Sequence, residues 1–107
     1  MSWKVDGNKL QMTVGDFGVK LPVTISDITI SQSDSFRFKF VDAANKNQIL
    51  VKDFSSVQDN RLYLEFTAEE SSLFVVGYYL YSLDWFENGN FMCNLIDEGS
   101  FKVVKKV

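Results

Sequence analysis

The segment from Thr67 to Ile96 constrains the fold of this chain more than any other stretch. It reads T-A-E-E-S-S-L-F-V-V-G-Y-Y-L-Y-S-L-D-W-F-E-N-G-N-F-M-C-N-L-I, the pattern of a helical turn, a glycine, an aromatic-rich strand, a tight turn and a return strand. Successive side chains of a strand point to opposite faces, so the odd-numbered residues of this strand share one face. We predict that these residues line a core between two sheets: Tyr79, Tyr81, Leu83 and Trp85.

Two further segments alternate in the same way. Phe36 to Val41 places three phenylalanines on one face and two basic residues on the other, and Arg61 to Phe66 repeats the pattern. Turn residues separate such segments at short intervals, as is typical of an all-β sandwich or barrel. The predicted core residues of these strands are Phe36, Phe38, Phe40, Leu62, Leu64 and Phe66.

A short helical turn near residues 68–74 is predicted to cross from one sheet to the other. Thr67 and Glu70 have the spacing of a capping box, in which each side chain binds the backbone amide of the other residue. In immunoglobulin-like sandwiches such a crossover precedes a strand whose first tyrosine hydrogen-bonds back to it, and Tyr79 has that position. We therefore expect one domain over residues 1–107, an immunoglobulin-like β-sandwich of about seven to nine strands.

The hairpin after this strand has two alternative registers. A two-residue Asn88-Gly89 loop would place Asn94 opposite Leu83, inside the core, where an unpaired amide costs roughly 1–3 kcal/mol. A three-residue loop ending at Asn90 pairs Trp85 with Cys93, Asp84 with Asn94 and Leu83 with Leu95. We therefore predict the three-residue loop. A separate last strand, Phe101 to Val104, then closes the domain.

Charge and cysteine content narrow the classes of function. The net charge is −3, and from Leu62 to Phe101 there are seven acids and no base. A nucleic-acid-binding protein needs a continuous basic face, so we expect no nucleic-acid partner. No apolar run is long enough to span a membrane, and no signal peptide is evident. The single Cys93 is expected to be a small buried hydrophobe in a reducing compartment.

Catalytic and metal sites are not expected. The chain has no histidine, which excludes an imidazole base and a histidine-ligated zinc. The remaining candidates for acid–base chemistry are carboxylates at turns or strand edges, where acids are usually only solvated. These are Asp84, Glu87, Asp97 and Glu98. We predict no enzymatic activity, no cofactor and no metal.

An apolar outer surface of the hairpin is the remaining candidate site. In the predicted register Phe86, Met92 and Ile96 share the outer face with Tyr78 and Leu80. Such a patch usually marks a partner site, unless another strand, a terminal segment or the loop around Phe17 covers it. Trp3 would likewise cap an open end of the core or reach a neighbour.

Two stretches carry a family resemblance. L-Q-M-T-V-G-D-F-G-V-K-L-P-V (Leu10 to Val23) and E-E-S-S-L-F-V-V-G-Y-Y-L-Y-S-L-D-W (Glu69 to Trp85), with the following N-G-N-F-M-C-N-L-I, resemble small tail proteins of phages and prophages of Gram-positive bacteria. They are similar to the N-terminal immunoglobulin-like domain of phage baseplate upper proteins. The likeness extends from Trp3 to Val104, and its motifs are structural rather than catalytic.

The resemblance implies a virion protein, made in the bacterial host cytoplasm, that packs into a tail or baseplate. Its partners would be other tail or baseplate subunits or further copies of itself. Baseplate upper proteins continue into receptor-binding domains, whereas this sequence stops at Val107, so we expect a tail accessory or adaptor. The alternative is a carbohydrate-binding sandwich that uses Tyr78, Trp85 and Phe86 as stacking platforms.

Overall fold

The computed structural model describes residues 4–6, 9–18, 20–25, 30–55 and 60–106, and Trp3 lies outside them. The described residues form eight strands and one helix of a single turn. The elements are β1 (Lys4–Asp6), β2 (Lys9–Thr13), β3 (Leu21–Thr24), β4 (Asp34–Asp42), β5 (Gln48–Ser55), β6 (Arg61–Leu64), α1 (Ala68–Ser71), β7 (Gly77–Glu87) and β8 (Asn90–Val104). The fold is all-β, as predicted.

The strands form two sheets that enclose the core. The larger sheet has the order β1-β2-β8-β7-β4-β5, and β3 pairs with β6 in the smaller one. Neighbours in the larger sheet are antiparallel except β2 and β8, which run parallel. This arrangement is a β-sandwich, in which the chain passes from the smaller sheet to the larger one through α1.

Aromatic rings fill the space between the sheets. Nine of the predicted core residues are buried: Phe36, Phe38, Phe40, Leu62, Leu64, Phe66, Tyr79, Tyr81 and Leu83. Trp85 is only partly buried and packs at the margin of this core. Phe40 lies at the centre, with the rings of Phe66, Phe74 and Phe101 at 5.4–5.6 Å from its own. Such contacts stabilise the core beyond the area that they bury.

The crossover has the predicted local structure. The Thr67 side chain accepts from the Glu70 amide at 3.1 Å, and the Glu70 carboxylate accepts from the Thr67 amide at 2.9 Å. The Tyr79 hydroxyl donates to the Val75 carbonyl at 2.8 Å and accepts from the Val75 amide at 3.0 Å. Both the capping box and the tyrosine hydrogen bond are therefore confirmed.

The predicted three-residue hairpin loop is wrong. Glu87 pairs with Asn90, so only Asn88 and Gly89 form the loop. Both have positive φ, 50° and 79°, as a type I′ turn requires. The expected pairs of Trp85 with Cys93 and of Asp84 with Asn94 nevertheless occur. They occur because β8 holds one extra residue, Met92, in a β-bulge next to the turn.

Two more irregularities in β8 correct other predictions. Leu83 pairs with Ile96 rather than Leu95, so Ile96 faces the interior and not the outer surface. Further along, Asp97 and Glu98 lie opposite Ser82 in a third irregularity. The strand therefore continues to Val104 as one element of 15 residues, not as a return strand followed by a separate last strand.

Cys93 is exposed, contrary to the expectation of a buried hydrophobe. It shares the inward face with Trp85, but it lies in the first part of β8, where residues 90–94 are all exposed. Further along, Leu95 and Ile96 line a small cavity with Val23 and Ile25 of the other layer. The inward-facing thiol is therefore not buried, because burial also requires that the smaller sheet cover this part of β8.

Candidate interaction surface

The predicted interface residues do not form one patch. Tyr78, Leu80 and Phe86 lie on the outer face, by which we mean the side of the larger sheet that turns away from β3 and β6. Tyr78 and Phe86 are eight residues apart on β7, which corresponds to about 26 Å. Ser82 and Asp84 separate them, and Ile96 faces the interior. The structure thus divides the predicted patch between the two ends of β7.

At the turn end of β7 lies a hairpin patch, formed by Phe86, Phe91 and Met92. Phe91 pairs with Phe86 across the ladder, and their ring centroids are 5.8 Å apart in an edge-to-face contact. The Arg37 guanidinium lies 5.1 Å from the Phe86 ring centroid on the other side. Phe86 is therefore half-buried, whereas Phe91 and Met92 remain exposed. Met92 is the extra residue of the first bulge.

Arg37 also bridges β4 and β5 on this face. Its Nε lies 2.7 Å from Asp53 Oδ1, and both side chains are largely exposed. The hydrogen bond and the charge of Asp53 raise the pKa of Arg37 above its ordinary value. The contact with Asp53 thus positions the guanidinium beside the Phe86 ring.

At the other end of β7 lies a crossover patch, formed by Leu73, Val75 and Val76. Their exposed fractions are 50%, 67% and 46%. Phe74, between them in sequence, is buried and packs 5.0 Å from the Tyr79 ring. Because Phe74 anchors one side of this segment and the Tyr79 hydroxyl binds the Val75 backbone, the three apolar side chains are held outward by fixed contacts.

Sequence reasoning missed the crossover patch. The predicted helical turn near residues 68–74 included Leu73 and Phe74, but α1 ends at Ser71. Of the four residues from Leu73 to Val76, only Phe74 is buried. The signal that could have revealed the patch is the surplus of apolar residues immediately before Gly77.

A depression with charged walls lies at mid-height on the outer face, with a volume of about 240 Å³. Val41, Leu80 and Ser82 line it between two walls of opposite charge. Lys39 and Lys46 belong to the β4–β5 side, and Asp97 and Glu98 belong to the bulge in β8. Among the described residues, none of these four charged side chains forms an ion pair or a hydrogen bond.

The geometry of the aromatic residues does not form a carbohydrate platform. Trp85 belongs to the inward-facing parity of β7 and packs against the core. Tyr78 and Phe86 share the outer face but lie at opposite ends of β7, and Lys102 Nζ lies 5.6 Å from the Tyr78 ring centroid. A sugar ring could therefore contact only one of the three.

The carboxylates considered for acid–base chemistry are dispersed. Asp84 accepts a hydrogen bond from the Asn94 side chain, Glu87 lies beside the turn, and Asp97 and Glu98 occupy the β8 bulge. Within the ranges that the structure describes, no three His, Cys, Asp or Glu residues are grouped closely enough to hold a metal ion. No helix in those ranges is long and apolar enough to cross a membrane.

Comparisons with known proteins do not assign this chain to a family. A scan against protein-family models, a search of curated proteins and a search of solved structures each find no significant match.

Proposed function

We propose that this chain is a non-enzymatic assembly module that acts through protein–protein interfaces. The observation that supports this proposal is the crossover patch, where three apolar side chains are held outward by the Phe74 anchor and the Tyr79 hydrogen bonds. Fixed apolar groups lose little conformational entropy when a partner covers them. Burying the exposed half of each would contribute on the order of 1 kcal/mol per residue.

The setting that we propose is the tail or baseplate of a phage or prophage-derived particle. It rests on the resemblance of Leu10 to Val23 and Glu69 to Trp85 to baseplate upper proteins. The other tail subunits would then cover the crossover patch and the hairpin patch. These patches lie at opposite ends of β7, so one copy of the chain can contact two neighbours at once.

The test is incorporation into particles purified from a host whose phage or prophage encodes this chain. We expect the wild-type chain to co-purify with tails, and the double substitution V75D/V76D to reduce its amount at least tenfold. The matched control is Tyr63→Asp, which charges an exposed ring on β6, in the smaller sheet. Phe91→Asp tests the hairpin patch in the same assay, because Phe91 is more exposed than Phe86.

Two results would contradict the proposal. If the wild-type chain is absent from purified tails, the setting is wrong. If V75D/V76D and F91D both enter particles as well as Y63D does, neither patch is an interface. Urea unfolding of each variant shows whether any loss reflects the interface or the fold.

A further inference from the structure

We propose that the outer face of the larger sheet binds a second copy of this chain, in a symmetric dimer whose two-fold axis runs along β7. This inference rests on the assembly function proposed above and names one partner for it. It concerns the middle of the face, the depression between Lys39 and Lys46 on one side and Asp97 and Glu98 on the other. It does not involve the crossover patch, and of the hairpin patch only Phe86 would lie at its edge.

The positions of the charges come directly from the strand register. Lys39 pairs with Ser82 of β7, and Asp97 and Glu98 bulge from β8 opposite the same serine. Lys39 and the two carboxylates therefore lie at one height along the strands, on the two sides of β7, and Lys46 lines the same depression from the turn between β4 and β5. All four are exposed, and within the described part of the chain all four lack an ionic partner.

This arrangement is complementary to itself under one rotation only. When two copies face each other across a two-fold axis parallel to β7, the β4 side of each copy lies over the β8 side of the other. The lysines of one copy then meet the carboxylates of its partner at the same height, twice. An axis perpendicular to the strands would instead place lysines over lysines. The charges therefore select the parallel axis.

The axis would pass over the outer-face residues of β7, which are Tyr78, Leu80, Ser82, Asp84 and Phe86. Asp84, which accepts a hydrogen bond from Asn94 and pairs with Arg37 in the ladder of its own chain, would face the Asp84 of the other copy. Tyr78, Leu80 and Phe86 would lie near the axis and meet the same residues of the partner. The four strands β8, β7, β4 and β5 span about 19 Å, which over 26 Å gives a flat area of about 500 Å² per copy. A total near 1,000 Å² is at the low end for specific complexes, so we expect a dissociation constant on the order of 10–100 µM.

The experiment is a charge-reversal exchange followed by sedimentation. Variant K39E/K46E carries only acids around the depression, and variant D97K/E98K carries only bases. We expect each to dimerise at least tenfold more weakly than the wild type. Mixed in equal amounts, they are expected to associate with wild-type strength, because every acidic side then meets a basic one. Added salt should weaken both the wild-type dimer and the mixed one.

Several outcomes would overturn the inference. A wild-type chain that remains monomeric up to about 1 mM has no such interface. If the reversals change only the unfolding midpoint, the charges act within one chain. If the mixture does not associate although both variants are folded, the two-fold geometry is wrong. The milder pair K39E and E98K gives the same comparison should a double variant fail to fold.

The two proposals can fail independently. Variant V75D/V76D keeps all four charges of the depression and lies outside the proposed dimer face, so it is expected to dimerise like the wild type while failing to enter particles. Loss of particle incorporation with an intact dimer supports both proposals. If the wild-type chain is monomeric and both K39E/K46E and D97K/E98K still enter particles, the dimer proposal is wrong. The proposed assembly function then still stands.

Discussion

An inward-facing lysine on a sheet edge gives the sharpest test of the fold. Lys52 of β5 pairs with the buried Phe38, so it points between the sheets. Its Nζ lies 2.8 Å from Glu70 Oε1 and also donates to the Glu65 carbonyl. Only 18% of the Lys52 side chain and 24% of the Glu70 side chain are exposed. We expect this pair to join the edge strand to the crossover.

The magnitude follows from this partial burial. Exposed ion pairs contribute about 0.2–1 kcal/mol, and breaking a fully buried pair costs about 3–5 kcal/mol. A pair at this depth should have a coupling energy of about 1–2 kcal/mol. The double-mutant cycle uses K52M, which keeps the aliphatic stem, and E70Q, which keeps the capping box because glutamine also serves at that position. Urea denaturation of the wild type, the two single variants and the double variant gives the coupling free energy.

Acid titration gives a second measurement on the same pair. Burial alone raises the pKa of Glu70, but hydrogen bonds from Lys52 and Thr67 outweigh it, so the pKa lies below its ordinary value. A carboxyl with a lowered folded-state pKa stabilises the fold above its unfolded pKa, about 4.3, and this contribution is lost as the pH falls through the folded value. We expect E70Q to lose less stability than the wild type over that window.

The matched control is the Arg37–Asp53 pair on the outer face of the same two strands. Its atoms are equally close, at 2.7 Å, but 44% and 61% of its side chains are exposed. The cycle of R37Q and D53N should show a coupling free energy at the low end of the range for exposed pairs, about 0.2–0.5 kcal/mol. A Lys52–Glu70 coupling below about 0.3 kcal/mol, or one no larger than the control, would refute the reasoning from burial.

Three further predictions concern the core and the turns. Phe40→Ala removes the ring at the centre of the aromatic cluster, and it should lower the unfolding free energy by about 3–5 kcal/mol, whereas Phe91→Ala on the surface should change it by less than about 0.5. Tyr79→Phe deletes both hydrogen bonds to Val75 and should cost about 1–2 kcal/mol in the same urea assay. Gly89→Ala adds a side chain at φ 79° in open space, so we expect it to lower the unfolding free energy only by the backbone strain, about 1 kcal/mol. Gly89→Asn should cost less, because asparagine adopts this conformation more readily than alanine. A Tyr79→Phe variant as stable as the wild type would show that the crossover is held by packing alone.

The parts of the fold that follow from local rules could be predicted from the sequence. Side-chain parity placed Phe36, Phe38 and Phe40 inward, because the two-residue period holds along a strand without bulges. The capping box and the Tyr79 hydrogen bond depend on contacts within a few residues. Such features need no knowledge of how the sheets meet.

The errors came from β8, where three irregularities shift the register. Asn94 remains exposed, as predicted, but a bulge at Met92 keeps it so and allows the two-residue type I′ turn instead of a three-residue loop. Cys93 and Ile96 were misassigned for related reasons: one lies beyond the opposite layer, and the other moved inward when Leu95 became an extra residue. Bulges leave little trace in the composition of a strand.

The parallel pairing of β2 with β8 has a mechanical consequence. Tension that pulls the chain before Lys9 away from the chain after Val104 would act along the strands and shear this hydrogen-bond ladder. The five pairs from Lys9–Ser100 to Thr13–Val104 would then resist as one unit, whereas the antiparallel β1–β2 hairpin would unzip pair by pair. Under load the rate of forced unfolding, rather than equilibrium stability, would set the lifetime of the domain.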